Sequence, residues 1–236
     1  MSESEKEAIQ IKVVLIGESG VGKTSIINRY TMDTFTPGLP STPGAAFTPK
    51  TINLKEYNQS IKFEIWDTAG QEMYRSLAKV FYKNAAVCVL VYDITRKKSF
   101  EELKNYWLKE IKANANNKLC KYIFILFIIF FNNIVLAIAA NKYDLYEEED
   151  VDENEAKSLA EEINAVFQKT SAKSAHGIDD LFIKIGIKFL EKNPPVNNIQ
   201  RQNINNNNSI EEKKNKKENG NLSLSYIEDK PKKKCC

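Results

Sequence analysis

The segment that most constrains this chain is GESGVGKT, residues 17–24, which directly follows the apolar run IKVVLI of residues 11–16. The run is short and rich in β-branched residues, so it predicts a buried strand, and residues 23–32 predict a helix. Glycines let a backbone wrap an anion with successive N–H groups pointing inward, and the following helix start adds its positive dipole end. This segment therefore predicts a phosphate-binding loop.

Two side chains in this loop have specific expected roles. Lys23 supplies a point charge at the outer phosphates, and the Thr24 hydroxyl is a ligand for Mg²⁺. A glycine-rich turn that matches by chance is the alternative, and the flanking strand and helix argue against it. The expected phosphate contacts are Ser19, Gly20, Val21, Gly22, Lys23, Thr24 and Ser25. The loop does not select the base, so an ATP-dependent kinase or ATPase remains open here.

Short apolar runs alternate with amphipathic helices along the rest of the chain. Further strands are predicted at 50–57, 61–67, 87–92 and 134–140 and in a short run ending near Lys169, and helices at 100–113, 155–166 and 178–190. This alternation predicts an α/β fold of three layers, with a mostly parallel sheet covered by helices. Ligands of such sheets bind at the carboxyl ends of the strands.

The segment Asn141-Lys142-Tyr143-Asp144 follows the predicted strand 134–140 and points to the base. The Asp144 carboxylate can accept from both the ring N–H and the exocyclic amine of guanine. Adenine lacks this pair of donors and would leave a buried acceptor unpaired. The stem of Lys142 can lie along the base plane.

A second segment, Ser171-Ala172-Lys173, follows the strand that ends near Lys169. There the Ala172 N–H is expected to donate to the guanine carbonyl oxygen, and Phe35 covers the base from the other side. The expected base contacts are Phe35, Asn141, Lys142, Asp144, Ser171, Ala172 and Lys173.

Five segments together resemble the Rab family of Ras-superfamily small GTPases: GESGVGKT, the Thr42 region, WDTAGQE (66–72), NKYD and SAK. The resemblance covers roughly residues 9–192, and STPGAAF (41–47) with MYRSLAKVFYKNA (73–85) is most similar to the early-endosomal branch. It implies a six-stranded P-loop NTPase sheet and a membrane-anchored GTP/GDP switch with Mg²⁺. It also implies slow GTP hydrolysis and a role in vesicular, endocytic traffic.

The catalytic roles follow from the resemblance as well. Asp67, at a predicted strand end, would hold the Mg²⁺ shell beside Thr24, and Thr42 would bind Mg²⁺ and the terminal phosphate. The Gly70 N–H would contact that phosphate, and Gln71 would orient the attacking water. No Arg in the sequence is placed as an internal arginine finger, so an activating protein is expected to act in trans.

Proline residues make the Thr42 loop depart from the family pattern. Pro43 follows Thr42 where an apolar β-branched residue is usual, and Pro37 and Pro40 precede it. Proline restricts both itself and the residue before it, which biases Thr42 towards extended geometry. A stiffer but ordinary switch loop is the favoured interpretation. The alternative is a nucleotide-binding module with impaired switching or hydrolysis.

Three aromatic residues, Phe47, Trp66 and Tyr82, resemble the Rab effector surface. Aromatic side chains are common at binding hot spots. The alternative is that Trp66 and Tyr82 simply pack the strand surface. The resemblance also implies an exchange factor, a GTPase-activating protein, a GDP-dissociation inhibitor or escort protein, and effectors as partners.

Outside residues 9–192, a polar extension of residues 1–8 and a disordered tail of residues 193–236 are predicted. The N-terminus lacks the apolar core of a signal peptide, so the cytoplasmic side of intracellular membranes, endosomal by resemblance, is expected. The chain's net charge of +3 argues against a nucleic-acid binder. The tail carries the positive excess and ends in Cys235-Cys236, which resemble a Rab double-Cys end with both thiols geranylgeranylated. A disulfide, a metal site or an unmodified tail are the alternatives.

The apolar segment LCKYIFILFIIFF, residues 119–131, does not fit the family pattern. A transmembrane helix across 122–140 would consume the strand before NKYD and is rejected. A membrane-dipping or partner-binding loop is possible, and a translated intron is the leading hypothesis, because its removal restores the family spacing.

Overall fold

The structure is a computed structural model that describes residues 8–42, 44–68, 84–115 and 134–194. Strands are β1 (Ile9–Ile16), β2 (Ala45–Leu54), β3 (Gln59–Thr68), β4 (Val87–Asp93), β5 (Val135–Asn141) and β6 (Val166–Lys169). Helices are α1 (Lys23–Met32), α2 (Lys97–Glu102, a π-helical segment Leu103–Trp107, and Leu108–Ala115), α3 (Glu153–Glu162) and α4 (Ile178–Lys192). Short 3₁₀ helices lie at Lys55–Tyr57 and Tyr143–Glu148. Residues 1–7, the apolar segment 119–131 and the tail from residue 195 lie outside the described residues.

The strands form one six-stranded sheet in the order β2-β3-β1-β4-β5-β6. Every neighbouring pair is parallel except β2 and β3, which are antiparallel. The predicted mostly parallel sheet is confirmed.

Alternate residues of β1 point to opposite faces of the sheet, and each face is covered. Val13 and Leu15 belong to a core with α1 and α4, whereas Val14 and Ile16 belong to a core with α2 and α3. Every residue of β4 and β5 is buried, as expected for central parallel strands covered on both faces. The predicted three-layer α/β fold is therefore confirmed.

Two predicted element boundaries are wrong. The strand predicted at 50–57 is β2, which begins at Ala45 and ends at Leu54, because it pairs with β3 over ten residues and then turns through a 3₁₀ helix. Pro49 is tolerated because β2 is an edge strand. The helix predicted at 155–166 ends at Glu162, since Val166 already pairs with Ala137 of β5.

In the part of the chain that the structure describes, no helix combines the length and apolarity needed to cross a membrane.

Candidate nucleotide-binding site

The loop between β1 and α1 depends on glycine at specific positions. Gly22 has a φ of 94°, and a Cβ there would collide with the side-chain amide of Asn141. A Cβ on Gly17 would collide with the carbonyl oxygen of Val91. The loop is therefore pressed against β4 and the end of β5, at the carboxyl edge of the sheet.

Lys23 lies inside this loop. Its side chain is buried, and Nζ donates to the carbonyl oxygens of Gly17 and Glu18, at 3.0 Å each. Burial lowers the pKa of Lys23 to about 8, against the raising effects of Asp67 and Glu18. A buried cation enclosed by backbone is a site that an anion stabilises.

Three oxygen-bearing side chains meet beside Lys23. Thr24 Oγ1 donates to Asp67 Oδ2 at 2.7 Å, Thr42 Oγ1 donates to the same oxygen at 3.2 Å, and the two hydroxyls are 2.9 Å apart. We call Thr24, Thr42 and Asp67 the metal corner. Pro43 lies outside the described residues, and Thr42, which precedes it, contacts both Thr24 and Asp67.

The chemistry of the metal corner fits Mg²⁺. The side chain of Asp67 is buried, and its Oδ1 has no hydrogen-bond partner among the described residues. Burial raises the pKa of Asp67, although hydrogen bonds from Thr24 and the charge of Lys23 oppose the shift. One carboxylate and two hydroxyls are hard oxygen ligands of the kind that Mg²⁺ prefers, and the unpaired Oδ1 leaves an acceptor for it.

The base segment is tied to the phosphate loop by Asn141. Its buried amide nitrogen donates to the carbonyl oxygen of Val21 at 2.8 Å, and Thr170 Oγ1 donates to its Oδ1 at 3.2 Å. Asn141 therefore holds the two loops at a fixed separation.

Asp144 is oriented by its neighbours in the second base segment. Ser171 Oγ donates to Asp144 Oδ1 at 2.6 Å, and Lys173 Nζ lies 3.7 Å from Asp144 Oδ2. The Ser171 hydroxyl in turn accepts from the Ser174 N–H at 3.1 Å. The carboxylate thus has a set direction before any ligand binds.

These groups line one cavity of about 540 Å³, a volume typical of small-molecule sites. The structure brings the following predicted residues together as its lining: Ser19, Gly20, Gly22, Lys23, Thr24, Ser25, Phe35, Thr42, Asn141, Lys142, Asp144, Ala172 and Lys173. Val21, Ser171 and Asp67 lie behind the lining and hold Asn141, Asp144 and Thr24. Gly70, Gln71, Tyr82, Cys235 and Cys236 lie outside the described residues.

Sequence reasoning missed Asp93, which ends β4. Its carboxylate is buried and accepts from Lys142 Nζ at 2.6 Å, Thr95 Oγ1 at 2.8 Å and Arg96 Nε at 3.2 Å. Burial alone would raise the pKa of Asp93, but hydrogen bonds from Lys142 and Thr95 outweigh it and lower the pKa. A carboxylate at the carboxyl end of a strand, next to the predicted site, was the available signal.

Arg96 was missed as well. Its Nη2 donates to the carbonyl oxygen of Ser19 at 3.1 Å, in the phosphate loop, while Nε donates to Asp93. Two of its guanidinium nitrogens donate to protein acceptors, so Arg96 supports the loop.

Phe47 and Trp66 are opposite one another in β2 and β3. Their ring centroids are 5.5 Å apart, and Phe47 is 48% exposed. Trp66 is half-buried against the core between the sheet and α2. Trp66 thus packs the strand surface and Phe47 presents an exposed ring, while the effector role of these residues stays a prediction.

Comparisons with known proteins agree with this geometry. A sequence profile described as the Ras family matches residues 12–191. The chain is 43% identical over 188 residues to the Ras-related protein Rab-22A of Canis lupus familiaris, covering 79% of this chain and 88% of that protein. It is 43% identical over 176 residues to human Rab-22A, with 75% and 81% covered. It is 39% identical over 197 residues to the Ras-related protein RABF2a of Arabidopsis thaliana, with 84% and 90% covered.

The resemblance inferred from the five motifs is thereby confirmed. The Ras-family match spans the phosphate loop, the metal corner and both base segments. The chain belongs to the Ras family, within its Rab branch, and is a GTP-hydrolysing enzyme.

Proposed function

We propose that this chain is a membrane-anchored GTP/GDP switch that regulates endocytic vesicle traffic from the cytoplasmic side of endosomal membranes. One observation carries the proposal: the metal corner and the guanine-directed Asp144 line or support the same cavity. A phosphate loop alone would fit an ATP-using enzyme equally well. The oriented Asp144 carboxylate favours guanine, because it needs two N–H donors on one edge of the base.

Magnesium is proposed as the cofactor, held by Thr24, Thr42 and Asp67. When bound, it neutralises charge on the outer phosphates. The protein's own residues bind the phosphates and orient the water. Lys23 and the loop N–H groups bind the phosphates, Gly70 holds the terminal one, and Gln71 orients the attacking water. With Arg96 engaged by Asp93 and Ser19, fast hydrolysis needs an arginine or equivalent group from an activating protein.

Switching follows from the position of Thr42. Its hydroxyl is hydrogen-bonded to Thr24 and Asp67. When the terminal phosphate leaves, this end of the loop loses a main partner and can loosen, which is an order–disorder switch. The Thr42 contacts favour this function over a nucleotide-binding module that does not switch.

The regulators are proposed from family membership. They comprise an exchange factor, a GTPase-activating protein, a GDP-dissociation inhibitor or escort protein, and effectors that contact Phe47, Trp66 and Tyr82. Geranylgeranyl groups on Cys235 and Cys236, with the neighbouring lysines, supply the two signals that stable membrane attachment requires. Intact-mass measurement of the protein from its own cells tests this, and free thiols would contradict it.

Competition and turnover test the nucleotide function. Labelled GDP bound to the full-length protein should be displaced by GTP and by GDP, but not by a thousandfold excess of ATP. Single-turnover assays should show slow GTP hydrolysis that an activating protein accelerates. Gln71→Leu should keep GTP binding and lose the stimulated rate. Displacement by ATP, or an unchanged stimulated rate in Gln71→Leu, would contradict the respective role.

A further inference from the structure

Arg29, in the last turn of α1, contacts both loops that flank the base end of the cavity. Its Nε donates to the carbonyl oxygen of Ala172 at 2.8 Å, and Nη2 lies 3.4 Å from that of Lys173. Its Nη1 donates to Asp33, to the carbonyl oxygen at 2.9 Å and to Oδ1 at 2.7 Å. One guanidinium therefore joins segments more than a hundred residues apart.

The two segments lie on opposite sides of the expected base position. Asp33 ends α1 in a left-handed conformation, with a φ of 52°, and leads into Phe35, which packs partly buried against the core. Ala172 belongs to the other segment and is buried. Phe35, Ala172 and Lys173 all line the cavity. Arg29 thus lies behind the two walls between which a base would fit.

The backbone at Ala172 is fixed from both directions. On the N-terminal side, the Ser171 N–H donates to the His176 carbonyl oxygen at 2.9 Å. On the C-terminal side, the Ala172 carbonyl is held by Arg29. The N–H of Ala172 lies between these two anchors, so its direction depends on the Arg29 bond. The Arg29 side chain is only 16% exposed, so water competes weakly for this bond.

The fork geometry of arginine is needed here. A guanidinium presents several donors in one plane and can hold acceptors on two loops at once, whereas an ammonium is a single charged point on a flexible stem. Lysine at this position can therefore reach one wall of the cavity at a time.

We propose that Arg29 is a positioning residue for guanine, which holds the Ala172 N–H against the base carbonyl oxygen. The inference rests on the proposed function, in which Ala172 contacts that oxygen. A merely structural Arg29 would affect every bound nucleotide equally. A positioning Arg29 affects nucleotides that carry the oxygen and spares those that lack it.

The test compares two nucleotides on the full-length protein: GDP, and the diphosphate of 2-aminopurine riboside, which lacks the carbonyl oxygen and also the ring N–H. Each variant is therefore compared with the wild-type protein for the same nucleotide. In Arg29→Ala, we expect GDP to dissociate about tenfold faster, the upper range for losing one neutral hydrogen bond, that from the Ala172 N–H to the base. Dissociation of the analogue should change less than twofold. Arg29→Lys should give the same pattern with smaller changes in the dissociation rates. It replaces Arg29→Ala in the comparison if that variant does not fold.

Lys192→Ala is the matched control. Lys192 also lies in the last turn of a helix and donates to a distant backbone carbonyl, that of Ile134 at 2.9 Å, which precedes β5 at the end opposite to Asn141. It should leave both dissociation rates unchanged. Equal acceleration of GDP and the analogue in the Arg29 variants, or no acceleration of GDP, would overturn the proposal. Failure of the wild-type protein to bind GDP would instead overturn the proposed function.

Discussion

The Nζ atom of Lys142 lies 2.6 Å from Oδ2 of Asp93, across the carboxyl ends of the adjacent strands β5 and β4. The same carboxylate accepts from Arg96, which in turn donates to the carbonyl oxygen of Ser19. A single buried acid therefore connects the base segment to the phosphate loop. The Asn141 bond to Val21 is a second, parallel connection.

Replacing this acid should weaken both the fold and nucleotide retention. Asparagine has a shape similar to that of aspartate but no charge. In Asp93→Asn, Lys142 and Arg96 therefore lose a charged acceptor, and the free energy of unfolding should fall by about 2 kcal/mol. Dissociation of GDP should accelerate, because both loops lose a shared anchor. Urea unfolding and GDP release measure the two effects. Asp180→Asn, which changes an exposed carboxylate on α4, should alter neither quantity.

Asp93 should also affect how steeply the free energy of unfolding falls at acid pH. Its pKa in the folded protein lies below the ordinary value of 3.8. The resulting stabilisation is complete above about pH 4 and is lost as pH falls through the lowered pKa. Between pH 5 and pH 3, the free energy of unfolding should therefore fall more steeply in the wild-type protein than in Asp93→Asn. Parallel curves would show that Asp93 is not the group responsible.

Removing Mg²⁺ with a chelator should show how much the metal corner contributes to GDP retention. Because Asp67 Oδ1 is buried and unpaired among the described residues, we expect Mg²⁺ removal to speed GDP release from the wild-type protein at least about tenfold. Asp67→Asn should release GDP rapidly with or without a chelator. If this variant still responds to chelation, Asp67 does not hold the ion.

A methyl group at Gly22 should be far more damaging than one at Gly44. The two residues have nearly equal φ values, 94° and 92°, so alanine is similarly strained at both. A Cβ meets the Asn141 amide at Gly22, whereas at Gly44 no atom of the described residues outside its chain neighbours lies within 4 Å of it. Gly22→Ala should lose measurable GDP binding and Gly44→Ala should keep it. Equal losses in calorimetric titration would show that backbone strain alone decides the outcome.

The Ser171 hydroxyl should matter through Asp144. Ser171→Ala removes the 2.6 Å hydrogen bond that orients the carboxylate. The affinity for GDP should fall by about tenfold, the lower range for one hydrogen bond to a charged group. Ser174→Ala is the control, since its side chain is exposed and its backbone N–H remains. A Ser171→Ala affinity equal to that of the control would exclude the orienting role.

The phosphate loop and NKYD could be recognised from the sequence because each is a contiguous segment with its own chemical pattern. The supporting residues could not. Arg29 and Ala172 are 143 positions apart, and Arg96 and Ser19 are 77 apart, so neither pair leaves a local pattern. Only the sheet order, which places β1 beside β4, brings Arg96 to the phosphate loop.

The predicted boundaries of two elements were wrong for a related reason. Residues 163–166 continue a helical pattern, but pairing of Val166 with β5 ends the helix earlier. The start of β2 depends on its antiparallel pairing with β3, which also accommodates Pro49 at the sheet edge. Tertiary pairing overrides local preference at such points.

The register of β2 and β3 joins the nucleotide to the protein's outer surface. Ala46 pairs with Asp67 of the metal corner, and the next pair along is Phe47 and Trp66. One residue step thus separates the buried Asp67, which we propose holds Mg²⁺, from the exposed ring of Phe47. Thermodynamic coupling works equally in both directions. A protein that binds Phe47 more tightly in one nucleotide state must therefore raise the affinity of this chain for that nucleotide. Each bound partner thus opposes the change to the other nucleotide state.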